Sequence, residues 1–152
     1  MKIILNLLRS KALFGGLDET QLQYIASLLK AEIFSKGRAI ITEGNMGDRM
    51  YLIIEGKVQV LKYSCSQNKN EEITVLERGD SFGEMELIDI KPRVGTVKAM
   101  TDVETVSLSN GDLLNISRKN LQTFSIILLN IARILSRKLR KTDKLLISIH
   151  HL

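Results

Sequence analysis

Cysteine is nearly missing from this sequence: Cys65 is the only one in 152 residues. A lone cysteine excludes an internal disulfide and fits a reducing compartment, so the expected location is the cytoplasm. Histidine is as scarce, with His150 and His151 side by side at the very end. Those three side chains cannot make a four-ligand metal site, and the two histidines read as a solvated terminus. No stretch is long and apolar enough to span a bilayer. The apolar start, Met1 to Leu8, is broken by Asn6 and followed by Arg9 and Lys11. It is too short for a signal-peptide core and lacks a small-residue cleavage site. It reads as a short N-terminal helix, with a contact to a membrane surface as the alternative. Pro- or Ser-rich linkers and internal repeats are absent too. With this length they leave one domain over residues 1–152, large enough to bury a real core.

Charge is present but unevenly placed. From Arg118 onward eight Lys and Arg stand against one acid, Asp143, a net +7, while the rest carries 14 against 16, a net −2. The basicity of the chain, +5 overall, therefore belongs to its C-terminal segment.

Three zones follow from periodicity. Residues 1–30 are helical: Gly15-Gly16 breaks the first helix, and Asp18 with Gln21 forms a capping box ahead of Leu22, Ile25, Ala26, Leu28 and Leu29. Residues 31–108 change to short strands separated by turn signals, over 31–34, 39–42, 50–55, 57–63, 71–76, 94–100 and 103–108. Eight or so short, evenly spaced antiparallel strands predict a double-sheet jelly roll. The glycines between them, Gly44, Gly47 and Gly56, read as turn chemistry. Residues 109–152 return to helix. Ser109 caps a segment with Leu113, Leu114 and Ile116, Lys119-Asn120 marks a restart, and a long helix follows over about 121–149.

The long helix carries a heptad stripe: Leu121, Phe124, Leu128, Ile131, Leu135, Lys138, Thr142, Leu145 and Ile149. It outruns what one small barrel can cover, which predicts a homodimer through this helix. Lys138 and Thr142 interrupt the stripe, either to fix register or to face a ligand. Arg133, Arg137, Arg140, Lys141 and Lys144 fall largely off it and read as a solvated face, with non-specific nucleic-acid contact as the alternative.

One stretch carries chemistry: Phe82-Gly83-Glu84-Met85-Glu86-Leu87, followed by Pro92-Arg93-Val94-Gly95-Thr96-Val97. Residues 84–90 suit a short helix between two strands. Gly83 permits close backbone approach, Arg93 can hold two phosphate oxygens, and Glu84 can accept from sugar hydroxyls. An anion clamp and a hydroxyl acceptor at this spacing suit a ribose phosphate. Taken alone, a Gly-Glu at a helix start is more often capping chemistry, and an arginine after proline more often a solvated loop residue.

The same stretch resembles the phosphate-binding cassette of cyclic-nucleotide-binding domains, the modules of protein kinase A regulatory subunits and of the bacterial catabolite activator family. Their pattern is F-G-E-L/M-A-L, a few residues, then P-R-A-A-T-V. Phe82-Gly83-Glu84-Met85, Leu87, Pro92-Arg93 and Thr96-Val97 match it without a gap. Leu13-Phe14, Leu17-Asp18 and Leu22 resemble the family's first helix, and 135–143 resemble its dimer helix. The resemblance implies a mainly β jelly roll with flanking helices. It implies a binding site made of Gly83, Glu84, Met85, Glu86, Arg93, Val94, Gly95 and Thr142. Arg93 would hold the cyclic phosphate and Glu84 the ribose 2′-hydroxyl, with backbone amides at Gly83, Glu86 and Val94 as further donors. Thr142 would contact the adenine, while Asp143 stands where well-known members carry Ser.

Two departures matter. Glu86 replaces a family alanine beside the phosphate, where an acid pointing inward would weaken binding; only its amide is needed, so its side chain is expected in solvent. Val94 follows the arginine where cyclic-GMP binders often carry Thr, which favours cyclic AMP as the ligand over cyclic GMP. In the family's transcription factors a helix-turn-helix follows the long helix. The sequence stops at Leu152 without one, so sequence-specific DNA binding is not expected.

No catalytic role is expected, because a cupin-like metal enzyme needs histidines in the barrel and none lies there. The expected function is a regulatory cyclic-nucleotide sensor acting on a protein partner that the sequence does not name. The alternative is a jelly-roll scaffold that binds no nucleotide.

Overall fold

The computed structural model describes residues 2–150. Helix α1 (Lys2–Ser10) leads through a 3-10 turn at Ala12–Phe14 into α2 (Glu19–Leu28). Eight strands follow: β1 (Lys30–Phe34), β2 (Ala39–Ile41), β3 (Arg49–Glu55), β4 (Lys57–Ser64), β5 (Lys69–Glu77), β6 (Ser81–Phe82), β7 (Thr96–Ala99) and β8 (Val103–Ser109). Helix α3 (Glu84–Ile88) lies between β6 and β7, and α4 (Asn110–Lys119) and α5 (Leu121–His150) complete the order. The strands form two four-stranded antiparallel sheets, β1-β8-β3-β6 and β2-β7-β4-β5, the expected jelly roll.

Strand β3 shows why the layers stack as they do. Side chains alternate faces along a strand. Met50 and Leu52 join the helical core, with Leu8, Leu22, Ile25, Leu113, Ile116, Ile127 and Ile131. Tyr51 and Ile53 face the other way and meet Val58, Phe82, Val97, Ala99 and Val103 between the sheets. A strand covered on both faces reads as a continuous apolar run, and 50–54 is Met-Tyr-Leu-Ile-Ile. Tyr51 stacks on Phe82, centroids 5.1 Å apart, with Phe34 edge-on at 6.3 Å.

The helix ends follow their capping residues. Asp18 accepts from the Gln21 amide at 2.8 Å while Gln21 reaches back to the Asp18 amide, a complete capping box. Ser109 and Asp112 make the same arrangement ahead of α4. Asn120 interrupts the helices, and its Oδ1 accepts from the Thr123 amide at 2.9 Å to start α5.

Several boundaries differ from expectation. Helix α1 stops at Ser10, whose hydroxyl donates to the Leu7 carbonyl, well before Gly15. Its apolar face is used internally, with Leu5 and Leu8 buried. Strand β6 went unseen because two residues are too few to alternate, and β7 begins only at Thr96. Helix α3 ends at Ile88 rather than residue 90.

The α5 stripe is also turned from the heptad. Leu121 and Leu128 are exposed, at 66% and 39%, while Thr123, Ile127, Asn130 and Ile131 are buried. The two polar members are buried because they have partners. Gln21 Nε2 donates to Thr123 Oγ1 at 2.8 Å, and Asn130 Nδ2 donates to the Leu13 and Gly15 carbonyls at 3.0 and 2.8 Å. From Ser136 to His150 every residue is exposed, including Leu139, Leu145, Leu146 and Ile149. His150 is exposed; His151 lies outside the described residues. No described helix is long and apolar enough to cross a membrane.

Candidate nucleotide-binding site

A cavity of about 700 Å³ lies between sheet β2-β7-β4-β5, the segment that follows β5, and α5. Sheet β2-β7-β4-β5 supplies Ile41, Val60, Lys62, Ile73, Leu76 and Val97; the N-terminal turn supplies Lys11 and Leu13. The segment from Gly79 to Glu86 forms one side, Val94 and Gly95 another, and Ile134 and Lys138 of α5 close the top. The volume falls in the range of small-molecule sites, which run to several hundred Å³.

Of the residues expected at the site, Gly83, Glu84, Met85, Glu86, Val94 and Gly95 all line this cavity. Arg93 does not: it lies behind Glu86, in a socket built from backbone. A Cβ on Gly47 would sit 2.2 Å from Arg93 Nε, and one on Gly83 would sit 2.7 Å from Nη1 and 2.9 Å from the Arg49 carbonyl oxygen. Gly83 also has φ of 80°, a left-handed conformation that favours glycine. Gly47 is thus more than turn chemistry, because its missing side chain is where the guanidinium lies. The loop carrying it is tied to the arginine. Arg93 N donates to the Asn45 carbonyl at 2.8 Å, and Gly44 N donates to the Arg93 carbonyl at 2.9 Å.

Arg93 Nη1 donates to Glu86 Oε2 at 2.9 Å, and Nη2 donates to the Arg49 carbonyl at 2.8 Å. Both side chains of the ion pair are buried, 5% and 6% exposed. The expectation that Glu86 points to solvent is therefore wrong. A buried guanidinium requires an anion, and Glu86 lies close enough to be that anion.

Glu84 is buried on the cavity wall. Ser81 Oγ donates to its Oε1 at 2.6 Å, and Lys138 Nζ lies 3.5 Å from its Oε2. Lys138 is the stripe residue that meets the cassette. Thr142 lies one turn further on, exposed, with its hydroxyl donating to the Lys138 carbonyl at 3.1 Å and outside the cavity wall of this chain. Lys62 Nζ donates to the Val94 carbonyl at 2.7 Å and pairs with Glu43 at 3.5 Å.

Sequence reasoning missed Ser81, Lys62, Ile73 and Gly47. Ser81 had a signal, since Ser81 and Glu84 stand in capping-box spacing, though here the serine serves the carboxylate and the helix cap is Gly83. At the edge of the site, Asp48 accepts from Arg49 Nε at 2.9 Å, and that hydrogen bond holds its carboxyl below the usual aspartate range despite partial burial.

The fold and cavity define a jelly-roll ligand-binding domain, and comparison with known proteins makes the class specific. Residues 31–120 match the family described as "Cyclic nucleotide-binding domain", and the chain belongs to it. It is 28% identical over 138 residues to a CRP-like cAMP-activated global transcriptional regulator of Mycobacterium tuberculosis, covering 91% of this chain and 59% of that protein. A cGMP-dependent protein kinase of Eimeria tenella is 37% identical over 115 residues, 76% of this chain and 11% of the kinase. Among solved structures, the N-terminal domain of a transcriptional regulator from Streptomyces coelicolor superposes with a TM-score of 0.79 at 30% identity, covering 91% of this chain and 95% of that one. The chain thus spans less than two thirds of the length of these curated relatives.

Proposed function

We propose that this chain is a regulatory module that binds cyclic AMP in the cavity beneath α5 and passes the occupied state to a second chain. The observation that carries the reading is the meeting of three elements on one cavity. These are the Glu84 carboxylate, the strand segment that follows Arg93, and Lys138 on the helix that leaves the body. In this reading Arg93 takes the cyclic phosphate and Glu84 the ribose 2′-hydroxyl. The apolar wall at Val60, Ile73 and Leu76 receives the flat base. Val94 offers no hydroxyl to a guanine amino group, which favours cyclic AMP over cyclic GMP. The module performs no reaction of its own.

The same reading makes α5 the output. Its distal half exposes Leu139, Leu145, Leu146 and Ile149, and a second copy of this chain would cover them. Thr142 then lies where both chains approach the base. Ligand shifts the population only as far as it binds one arrangement of cassette and helix better than the other.

Thermal unfolding with cyclic AMP, cyclic GMP and 5′-AMP, beside an Arg93→Ala variant, tests this. Ligand at one hundred times its Kd stabilises by about 2.7 kcal/mol, a rise of roughly 5–10 °C for a domain of this size. The expected result is a rise with cyclic AMP that is absent in the variant. No rise with any cyclic nucleotide at millimolar concentration overturns the reading.

A further inference from the structure

The phosphate-seeking arginine is not free to seek. Its Nη1 is bonded to Glu86 Oε2 at 2.9 Å and its Nη2 to the Arg49 carbonyl at 2.8 Å. The backbone at Gly47 and Gly83 walls the rest of the guanidinium closely enough that neither position has room for a Cβ. On the cavity side stands Glu86, which lines the space while Arg93 does not. Resting on the cyclic-nucleotide reading above, we propose that Glu86 is the specificity-determining residue of this site. Its carboxylate occupies the anion position on Arg93, so a ligand phosphate binds by exchange with Glu86 rather than by addition to a free cation.

The cassette holds two carboxylates, Glu84 and Glu86, against two cations, Arg93 and Lys138, joined in pairs at 3.5 and 2.9 Å. It is neutral as it stands. A cyclic phosphate carries one negative charge and brings the group to minus one in a largely buried site, where like charges repel strongly. The other charged residues of the wall are Lys11, Lys62 and Asp80, and Lys62 is already paired with Glu43. An uncharged side chain at position 86 would start the same cassette at plus one and let the phosphate neutralise it. The penalty acts on the phosphate alone. A ligand that offers the base and ribose hydroxyls without charge makes its contacts at Glu84 and the apolar wall and leaves the Arg93–Glu86 pair intact. Glu86 therefore lowers the preference of the site for nucleotide over nucleoside and raises the cyclic-nucleotide concentration at which it fills.

The test is calorimetric titration of the wild-type chain, Glu86→Gln and Glu86→Ala with cyclic AMP and with adenosine. Glutamine keeps an acceptor for Arg93 Nη1, so that variant retains the fold even where alanine, by stranding the guanidinium, does not. The expected result is that Glu86→Gln binds cyclic AMP at least tenfold more tightly than wild type while its adenosine affinity stays within about twofold. A residue that only held the cassette in shape would move both ligands together. Binding by wild type with no gain in Glu86→Gln, or an equal gain for both ligands, overturns this inference and leaves the proposed function standing. No cyclic AMP binding by any of the three proteins overturns both.

Discussion

The two sheets are built from similar strands and put to different uses. Sheet β1-β8-β3-β6 is covered twice, by helices on one face and by the other sheet on the other, and its central strands β3 and β8 are buried almost throughout. Sheet β2-β7-β4-β5 is covered only in part. Val58, Val97 and Ala99 pack against Tyr51 and Ile53, but Val60, Lys62, Ile73 and Leu76 border the open cavity, and β5 is exposed along nearly its whole length. The lesson is that the first sheet holds the molecule together. The second leaves apolar side chains bordering open space, a surface whose further burial would be favourable.

Truncating one inward residue on each sheet separates the two roles. Ile53→Ala, in the packed layer, is expected to cost about 2–5 kcal/mol in urea denaturation, and Ile73→Ala, whose side chain borders the open cavity from β5, under about 1 kcal/mol. Similar losses at both would mean that the second sheet is as structural as the first. Next in size is Asn130→Ala, which strips donors from the Leu13 and Gly15 carbonyls. An expected loss of about 1–3 kcal/mol, with faster amide exchange in the Ala12–Phe14 turn, would sharpen the view that α5 secures the helical cover of the first sheet. Unchanged exchange there would count against it.

The smallest effect concerns pH. Burial between the sheets pushes the Tyr51 phenol above its ordinary value near 10. A raised value means that the fold favours the protonated form. The stability it adds is complete below about pH 10 and falls away as pH rises through the folded value. Tyr51→Phe keeps the stack on Phe82. It is expected to shift the melting temperature at pH 7 by no more than a degree or two and to shallow its fall above pH 10. An unaltered alkaline slope would place the sensitivity in another group.

Sequence carried some of this further than the rest, for physical reasons. Caps are local, so Asp18 with Gln21 and Ser109 ahead of α4 could be read directly. The cassette is contiguous, so the run from Phe82 to Val97 was legible as a unit. The orientation of Glu86 was not, because it depends on a socket supplied by Gly47, a loop residue distant in sequence but pressed against Arg93. The core-facing side of α5 was misread for a similar reason. Periodicity treats Thr123 and Asn130 as polar and therefore outward, yet partners from the first thirty residues make them cheap to bury. Strand β6 offers too few residues for any period.

Helix α5 has mechanical implications beyond its chemistry. Its last contact with the cavity is Lys138, its last buried residue is Ile131, and every described residue from Ser136 on is exposed. At 1.5 Å per residue, the twelve residues from Lys138 to His150 make a free arm of roughly 18 Å. At its base the Lys138 ammonium lies 3.5 Å from Glu84. A tilt of about 10° there would move the far end, with Leu145, Leu146 and Ile149 exposed on it, by about 3 Å, so the arm's length alone magnifies a small displacement at the cavity.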